Sequence, residues 1–184
     1  LRAIEAVKAG AFEREIVPIE IRDAQGHGTG EWHKVDEGIR FDASLEAIAG
    51  VKPIQEGGRV SAAGASQICD GASGVLVVNE RGLKMLGVEP LARIHHMSVL
   101  GHDPVVMLEA PIPATERALR KCGMSIHDID LYEVNEAFAP VPLAWLQATG
   151  ADPRRLNVNG GAIALGHPLG GSGTRLMTTL INAL

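Results

Sequence analysis

Aromatic residues are scarce in this chain of 184 residues: three Phe, two Trp and one Tyr. A core with so few large rings has to be closed by Ala, Val, Ile and Leu packed at short range. Cysteine is scarcer still. Cys69 and Cys122 are too few and too far apart for a disulfide framework or a Cys-based zinc site. A reducing compartment, the cytoplasm, fits them best. Basic residues are in the minority, 17 Lys and Arg against 22 Asp and Glu, for a formal net charge of −5. That balance argues against a protein whose affinity comes from neutralising nucleic-acid phosphates. No apolar run approaches the ~20 residues of a membrane-spanning helix. The longest, Gly74 to Val78 and Val141 to Leu146, are core-sized. The opening residues Leu1-Arg2-Ala3-Ile4-Glu5 carry neither a Met start nor a signal-peptide pattern.

What is present is a globular composition, 46% hydrophobic and 21% charged, with glycine enriched to 22 of 184 residues against a usual share of about 7%. Backbone therefore approaches something closely at several places. Ile4, Val7 and Lys8 to Gly10 read as a helix end closed by glycine. Arg175 to Leu184 has a helical stripe of Leu176, Met177, Leu180, Ile181 and Leu184 with no C-cap. Both ends look like the middle of helices, so the sequence is expected to be a fragment. Between them Glu15 to Ile21 alternates like a strand, and Asp23 to Gly38 reads as a polar loop. Asp70 is placed as the N-cap of a small-residue helix running to Gly87, followed by a strand over Leu91 to Val99. A loop with Pro104, Pro111 and Pro113 leads into a helix from Thr115 to Cys122. A buried strand over Asp130 to Val134, a helix from Glu136 to Thr149 and a strand end at Asn157 to Asn159 complete the order. Alternating strands and helices at this spacing predict an α/β fold, a sheet covered by helices.

Three segments carry candidate chemistry. The first is Asn159-Gly160-Gly161-Ala162-Ile163-Ala164-Leu165-Gly166-His167-Pro168-Leu169-Gly170-Gly171-Ser172-Gly173, six glycines around a single histidine. Pro168 fixes the backbone after His167, so the imidazole stands on a tight connection into a helix, the placement of a general base. An anion cradle at a helix N-terminus, or a purely structural turn, fits the same residues. The second is Glu133-Val134-Asn135-Glu136-Ala137-Phe138-Ala139, where Asn135 reads either as a helix N-cap or as an amide that orients a water or a substrate oxygen. The third is Ser61-Ala62-Ala63-Gly64-Ala65-Ser66-Gln67, followed by Asp70-Gly71-Ala72. Its small residues suit a ligand lying along the backbone and suit a close helix crossing equally. His27 and His33 lie in a polar run whose spacing builds no metal ligand set, and no metal site is expected.

Taken together, these segments resemble the thiolase family, the acetyl-CoA acetyltransferases and 3-ketoacyl-CoA thiolases. The stretch from Asn157 to Arg175 is similar to the family's glycine-histidine-proline signature, and Glu133 to Ala139 to its Asn-Glu-Ala-Phe signature. Ser61 to Ser73 resembles the stretch whose serine lies along the pantetheine arm of coenzyme A. The order and separation also fit, so the resemblance covers essentially the whole chain. It implies the layered αβαβα thiolase fold in part. Residues 1–68 would be the end of a loop domain covering coenzyme A, 69–90 a helix returning to the N-terminal half, and 91–184 an incomplete C-terminal domain. It also implies Claisen chemistry or thiolysis of 3-ketoacyl-CoA through an acyl-cysteine. By that comparison His167 activates the nucleophilic cysteine and Asn135 holds a water of the oxyanion site. Ser66 contacts pantetheine, and Ala137 and Phe138 line the acyl pocket. Coenzyme A thioesters are the substrates, no cofactor is bound covalently, and the full-length protein would be a homodimer or homotetramer.

The departures matter as much. Neither Cys69 nor Cys122 stands at a nucleophile position of the family; both read as buried small residues. Leu108-Glu109-Ala110-Pro111 and Ala63-Gly64 also depart from the family's usual residues. Asn135-Glu136 argues against the sterol-carrier type of thiolase, and Gly166-His167-Pro168 against a ketoacyl synthase. A truncated paralogue that binds coenzyme A or a partner subunit without turnover is the alternative. Because catalytic groups that act as a unit lose nearly all activity when members are missing, the 184 residues alone are expected to show no acyl transfer. An assay of the isolated chain with acetyl-CoA as donor checks this: product formation at an enzymatic rate would contradict it.

Overall fold

The computed structural model describes residues 1–184. Its first helix, α1 (Arg2–Lys8), buries Ala3, Ile4 and Ala6, which pack with Phe12, Ile39 and Leu165 into one core cluster. Sequence-distant Leu165 is thus tied to the N-terminal segment. The Arg2 guanidinium reinforces the tie by donating to the carbonyls of Leu156 and, at 3.0 Å, Pro153.

The polar run after Ile21 is not a loop. Strand β1 (Ile19–Arg22) pairs antiparallel with β2 (Gly28–His33), with Ile19 opposite His33, Glu20 opposite Trp32, and an irregularity before Arg22. Asp23 makes the reversal: its Oδ1 accepts from the amides of Gln25 at 2.9 Å and His27 at 2.8 Å. Local side-chain capping of a turn is what converts this hydrophilic stretch into a hairpin. A second unanticipated element, α2 (Leu45–Ala49), starts where Ser44 Oγ accepts from Ala47 N at 3.1 Å.

The helix expected from Asp70 forms only over α3 (Glu80–Leu86). Its true cap is Asn79, whose Oδ1 accepts from Gly82 N at 2.9 Å. Residues 70–79 instead run without regular structure, as Val75, Val77 and Val78 favour: β-branched side chains suit extended backbone. The strand expected over Leu91 to Val99 is likewise unpaired. A strand exists only where its N–H and C=O groups meet a neighbour, and within these residues none is adjacent. Leu76, Val77, Leu91, Met97 and Val99 consequently face solvent.

The C-terminal part is better packed. Helix α4 (Pro111–Cys122) begins four residues earlier than expected because Pro111 and Pro113 occupy its first turn, where no amide donor is needed. Helix α5 (Pro140–Thr149) begins four residues later than Glu136 for the same reason at Pro140. Between them the Asp130 to Val134 strand reduces to one parallel bridge, Tyr132 with Leu156, made by Tyr132 N to Arg155 O and Asn157 N to Tyr132 O, each 2.9 Å. Tyr132, Val134, Trp145, Ala151 and Leu156 form the second core cluster. Trp145 is 3% exposed; its ring centroid lies 5.1 Å from that of Tyr132, and its Nε1 donates to Thr115 Oγ1 at 2.9 Å. Two further helices, α6 (Ala162–Leu165) and α7 (Ser172–Ala183), flank the histidine loop.

The accessible surface is 13110 Å². A compact protein of this mass, 19.4 kDa, exposes about 8,500 Å². The excess lies in the extended segments, and the α/β fold is present only in part.

Because Trp145 joins α5, Thr115 and Tyr132, Trp145→Ala is expected to cost about 3–5 kcal/mol of stability, read as a lower urea midpoint. Trp145→Phe, which keeps an aromatic contact and loses the bond to Thr115, should cost clearly less.

Candidate active site

The site is assembled around a buried amide. Asn157, 2% exposed and in the left-handed backbone region at φ 46°, pairs with the main chain of Val134. Its Oδ1 accepts from Val134 N at 2.9 Å, and its Nδ2 donates to Val134 O at 2.9 Å and to Glu136 Oε1 at 3.1 Å. Glu136 Oε2 in turn accepts from Ile163 N at 3.2 Å. The Glu136 carboxylate fills the space that a side chain at position 161 would occupy, which is why glycine is needed there. Asn135, between Val134 and Glu136, is therefore held on both sides. It is not a helix cap: Ala139 occupies the N-cap position of α5.

A second backbone run brings the remaining predicted residues alongside. Ala139 N donates to Gly64 O at 2.7 Å and Ser66 N to Ala137 O at 3.0 Å, with Ala65 bridged antiparallel to Phe138. Ser66, Ala137 and Phe138 are thus neighbours, with Phe138 40% exposed. Gln67 continues the run: its carbonyl accepts from His167 N at 2.9 Å, and its Nε2 donates to Gly38 O at 2.8 Å and Ile163 O at 3.2 Å. One amide side chain thereby ties three stretches of backbone that are remote in sequence.

His167 lies where these runs meet. Its Nε2 is 3.3 Å from Asn135 Nδ2, and its Nδ1 is 2.5 Å from Ser172 Oγ, at the first turn of α7. Ser172 is 4% exposed, and its Oγ also donates to Pro168 O at 3.0 Å. An imidazole held at both nitrogens, beside an amide whose Oδ1 is buried without a partner, can take up and return a proton next to a polarised oxygen. All five residues read as functional from the sequence are brought into one region. Ser172, Gln67, Glu136 and Asn157 were not singled out. Ser172 alone left a signal, as the only hydroxyl within the glycines that follow His167.

Beneath the site lies a group of charges. Arg175, one helical turn beyond Ser172, has all three guanidinium nitrogens buried and unbonded. Burial pushes the Glu133 carboxyl up to about 7; Arg175 opposes this, and Glu136 and Glu15 add to it. Glu15 and Asp36 are also raised, chiefly by burial, and each is held down in part by Arg175. Glu133 Oε2 has no hydrogen-bond partner.

The cysteines are half-buried, less covered than the sequence suggested; Cys69 lies against the backbone of the histidine loop, and Cys122 ends α4. The Cys69 thiol occupies the place of a Gly166 side chain. Neither sulfur bonds to His167, whose ring nitrogens meet only Ser172 and Asn135. His27 and His33 sit on the exposed hairpin, paired separately with Asp23 at 3.3 Å and Glu37 at 3.9 Å. No group of three His, Cys, Asp or Glu residues could hold a metal ion.

A histidine on a glycine loop, an adjacent asparagine and an accompanying serine run define a family, and comparison with known proteins names it. The family model described as thiolase, C-terminal domain, matches residues 88–184, and that described as thiolase, N-terminal domain, matches residues 1–81. The chain belongs to the thiolase family. It is 54% identical over 183 residues to the steroid 3-ketoacyl-CoA thiolase FadA6 of Mycobacterium tuberculosis, covering 100% of this chain and 43% of that protein. It is 46% identical to an acetyl-CoA acetyltransferase of Paracoccus denitrificans, covering 98% and 46%. Among solved structures, human mitochondrial 3-ketoacyl-CoA thiolase in complex with CoA aligns with a TM-score of 0.87 at 42% identity, over 100% of this chain and 45% of that one. An acetyl-CoA acetyltransferase of Bacillus anthracis aligns with a TM-score of 0.90 at 38% identity, over 100% and 46%. The chain spans about half the length of these relatives, and its fold is the corresponding part of the thiolase fold.

The raised Glu133 pKa makes a stability prediction. The folded state holds this proton more tightly than the unfolded chain, whose carboxyl titrates near 4.5. Its contribution is full below about pH 4.5 and is lost as pH rises through about 7, amounting to about 3 kcal/mol. Urea denaturation at pH 5 and pH 8 should show this loss, and Glu133→Gln should abolish it.

Proposed function

We propose that the polypeptide carrying these residues is an acyltransferase of the 3-ketoacyl-CoA thiolase type, exchanging acyl groups between coenzyme A thioesters and an enzyme cysteine. The observation that carries the reading is His167 Nε2 beside the Asn135 amide, on a loop that Gln67 and Glu136 lock to the Ser66 and Phe138 run. His167 Nε2 accepts the proton of the cysteine thiol. In thiolysis the thiolate attacks the C3 ketone of the 3-ketoacyl-CoA, whose C2–C3 bond then breaks, and in the condensing direction it attacks the thioester carbonyl of an acyl-CoA; in either case the oxyanion is held by the Nε2 proton and by a water on Asn135. Collapse releases the leaving group, which takes the proton back from His167. Ser66 supports the pantetheine arm, and Ala137 with Phe138 borders the acyl group.

The nucleophilic cysteine belongs to a part of the polypeptide other than these residues, since neither Cys69 nor Cys122 meets His167. A CoA-bound relative supports coenzyme A as the ligand. The relative named as a steroid 3-ketoacyl-CoA thiolase supports a bulky, ring-bearing 3-ketoacyl-CoA as the first substrate to try. A homodimer or homotetramer in the cytoplasm completes the reading. A complete His167 loop together with Asn135 disfavours a relic that binds coenzyme A without turnover, because binding alone needs no base.

In the whole polypeptide, thiolysis of 3-ketoacyl-CoA by coenzyme A should be measurable, with an acylated cysteine trapped by mass spectrometry. Asn135→Ala is expected to lower kcat about 10²–10³-fold, the loss typical of one oxyanion donor. His167→Ala should cost more and slow cysteine acylation. Absence of any acyl-cysteine in the wild type would refute the reading.

A further inference from the structure

We propose that Ser172 is a positioning residue for His167: its hydroxyl accepts the Nδ1 proton and so holds the ring in the tautomer whose Nε2 lone pair faces Asn135. The proposal rests on the reading of His167 as the base of the site and adds the group that sets its protonation pattern.

The Asn135 contact sets the tautomer, and the Ser172 contact complements it. The Asn135 amide nitrogen, 3.3 Å from Nε2, can only donate, so Nε2 must present its lone pair. A neutral imidazole has one ring proton, which therefore sits on Nδ1, 2.5 Å from Ser172 Oγ. The hydroxyl accepts that proton with a lone pair and directs its own hydrogen to Pro168 O at 3.0 Å. Both of its bonds are accounted for. Ser172 is 4% exposed, which leaves little room for water to replace it.

The hydroxyl is not there to cap α7. The N-cap position belongs to Gly171, and Ser172 is the first helical residue, its side chain turned back toward the histidine loop. That loop is pinned independently. Ser73 Oγ donates to Gly171 O at 2.5 Å, and Thr174 Oγ1 donates to the same carbonyl at 3.1 Å. The N-terminus of α7 is a source of positive potential and disfavours a charged imidazole before reaction. When Nε2 takes the thiol proton, the Nδ1–H bond to Ser172 becomes charge-assisted and stronger, at the moment it is needed. The contact therefore acts more on the transition state than on substrate binding.

The test uses the whole polypeptide as wild type, Ser172→Ala and Ser172→Thr. In wild-type protein with ¹⁵N-labelled histidine, NMR should find His167 protonated at Nδ1. In Ser172→Ala, the Nε2-protonated tautomer should appear, kcat should fall about 10–100-fold, as when outer-shell histidine partners are removed at metal sites, and KM for the thioester should stay within about twofold. Ser172→Thr, which keeps the hydroxyl, should restore the Nδ1 tautomer and most of kcat. A wild-type His167 protonated at Nε2 overturns the proposal, as does a Ser172→Ala variant with unchanged kcat. If Ser172→Ala does not fold, the wild-type tautomer decides. A wild type without acyl transfer refutes the proposed function, and the tautomer measurement still decides the role of Ser172.

Discussion

The structure depends on one buried side chain that behaves like backbone. Asn157 offers its amide oxygen to Val134 N and its amide nitrogen to Val134 O, replacing the ladder bonds that a neighbouring strand would supply. Left unpaired in a buried place, those two main-chain groups would each cost a substantial part of a hydrogen bond. With them satisfied, the extended stretch from Tyr132 to Glu136 keeps its course, and Asn135 is carried at a fixed height above the histidine loop. The left-handed backbone at Asn157 is one that asparagine tolerates better than most residues. Conformation and hydrogen bonding therefore select the same residue.

From this node the constraint passes outward through polar contacts. Glu136 connects Asn157 to the amide of Ile163, and Gln67 connects Ile163 and His167 to Gly38. Each link joins segments far apart in sequence, and each uses a side chain flanking a residue that faces the site. Asn135 and Ser66 are thus placed by their immediate neighbours in the chain, Glu136 and Gln67, whose side chains bond to remote backbone. Small residues make this possible: glycine at 161 lets the Glu136 carboxylate reach the loop, and glycine at 166 leaves room for the Cys69 thiol. Arg175 lies under the same loop, and it partly offsets the burial of Glu133, Glu15 and Asp36.

Apolar stretches with no neighbour explain where the fold departs from its sequence pattern. Residues 70–79 and 91–99 contain side chains that belong in a sheet, yet they lie open, and the accessible surface is about half as large again as a compact chain would show. Reading residues 70–79 as a helix followed from the Asp70 cap and small residues, while the β-branched valines pointed the other way. At α4, Pro111 and Pro113 read as loop residues although the first helical turn accepts them, and at α5, Pro140 inside the expected Glu136 to Thr149 helix marks its true start. Strand β2, the partner of β1 in the hairpin, is hidden by its polarity, because an exposed strand of a two-stranded ribbon needs no apolar alternation.

Local motifs therefore determined the family and most helix positions, and they pointed to His167 and Asn135 as the candidates for the site. These depend on short-range chemistry: a proline after the histidine, glycines where backbone must approach closely, and caps at helix ends. What the tertiary structure decided is how far-apart residues meet. That Asn157 serves Val134, that Gln67 closes onto Gly38, that Leu165 packs on α1, and that Ser172 faces the far nitrogen of His167 all depend on the path of the chain in space. A hydroxyl, an amide or a carboxylate reads alike in sequence whether it ends in water or on a buried donor, and only the fold assigns its partner.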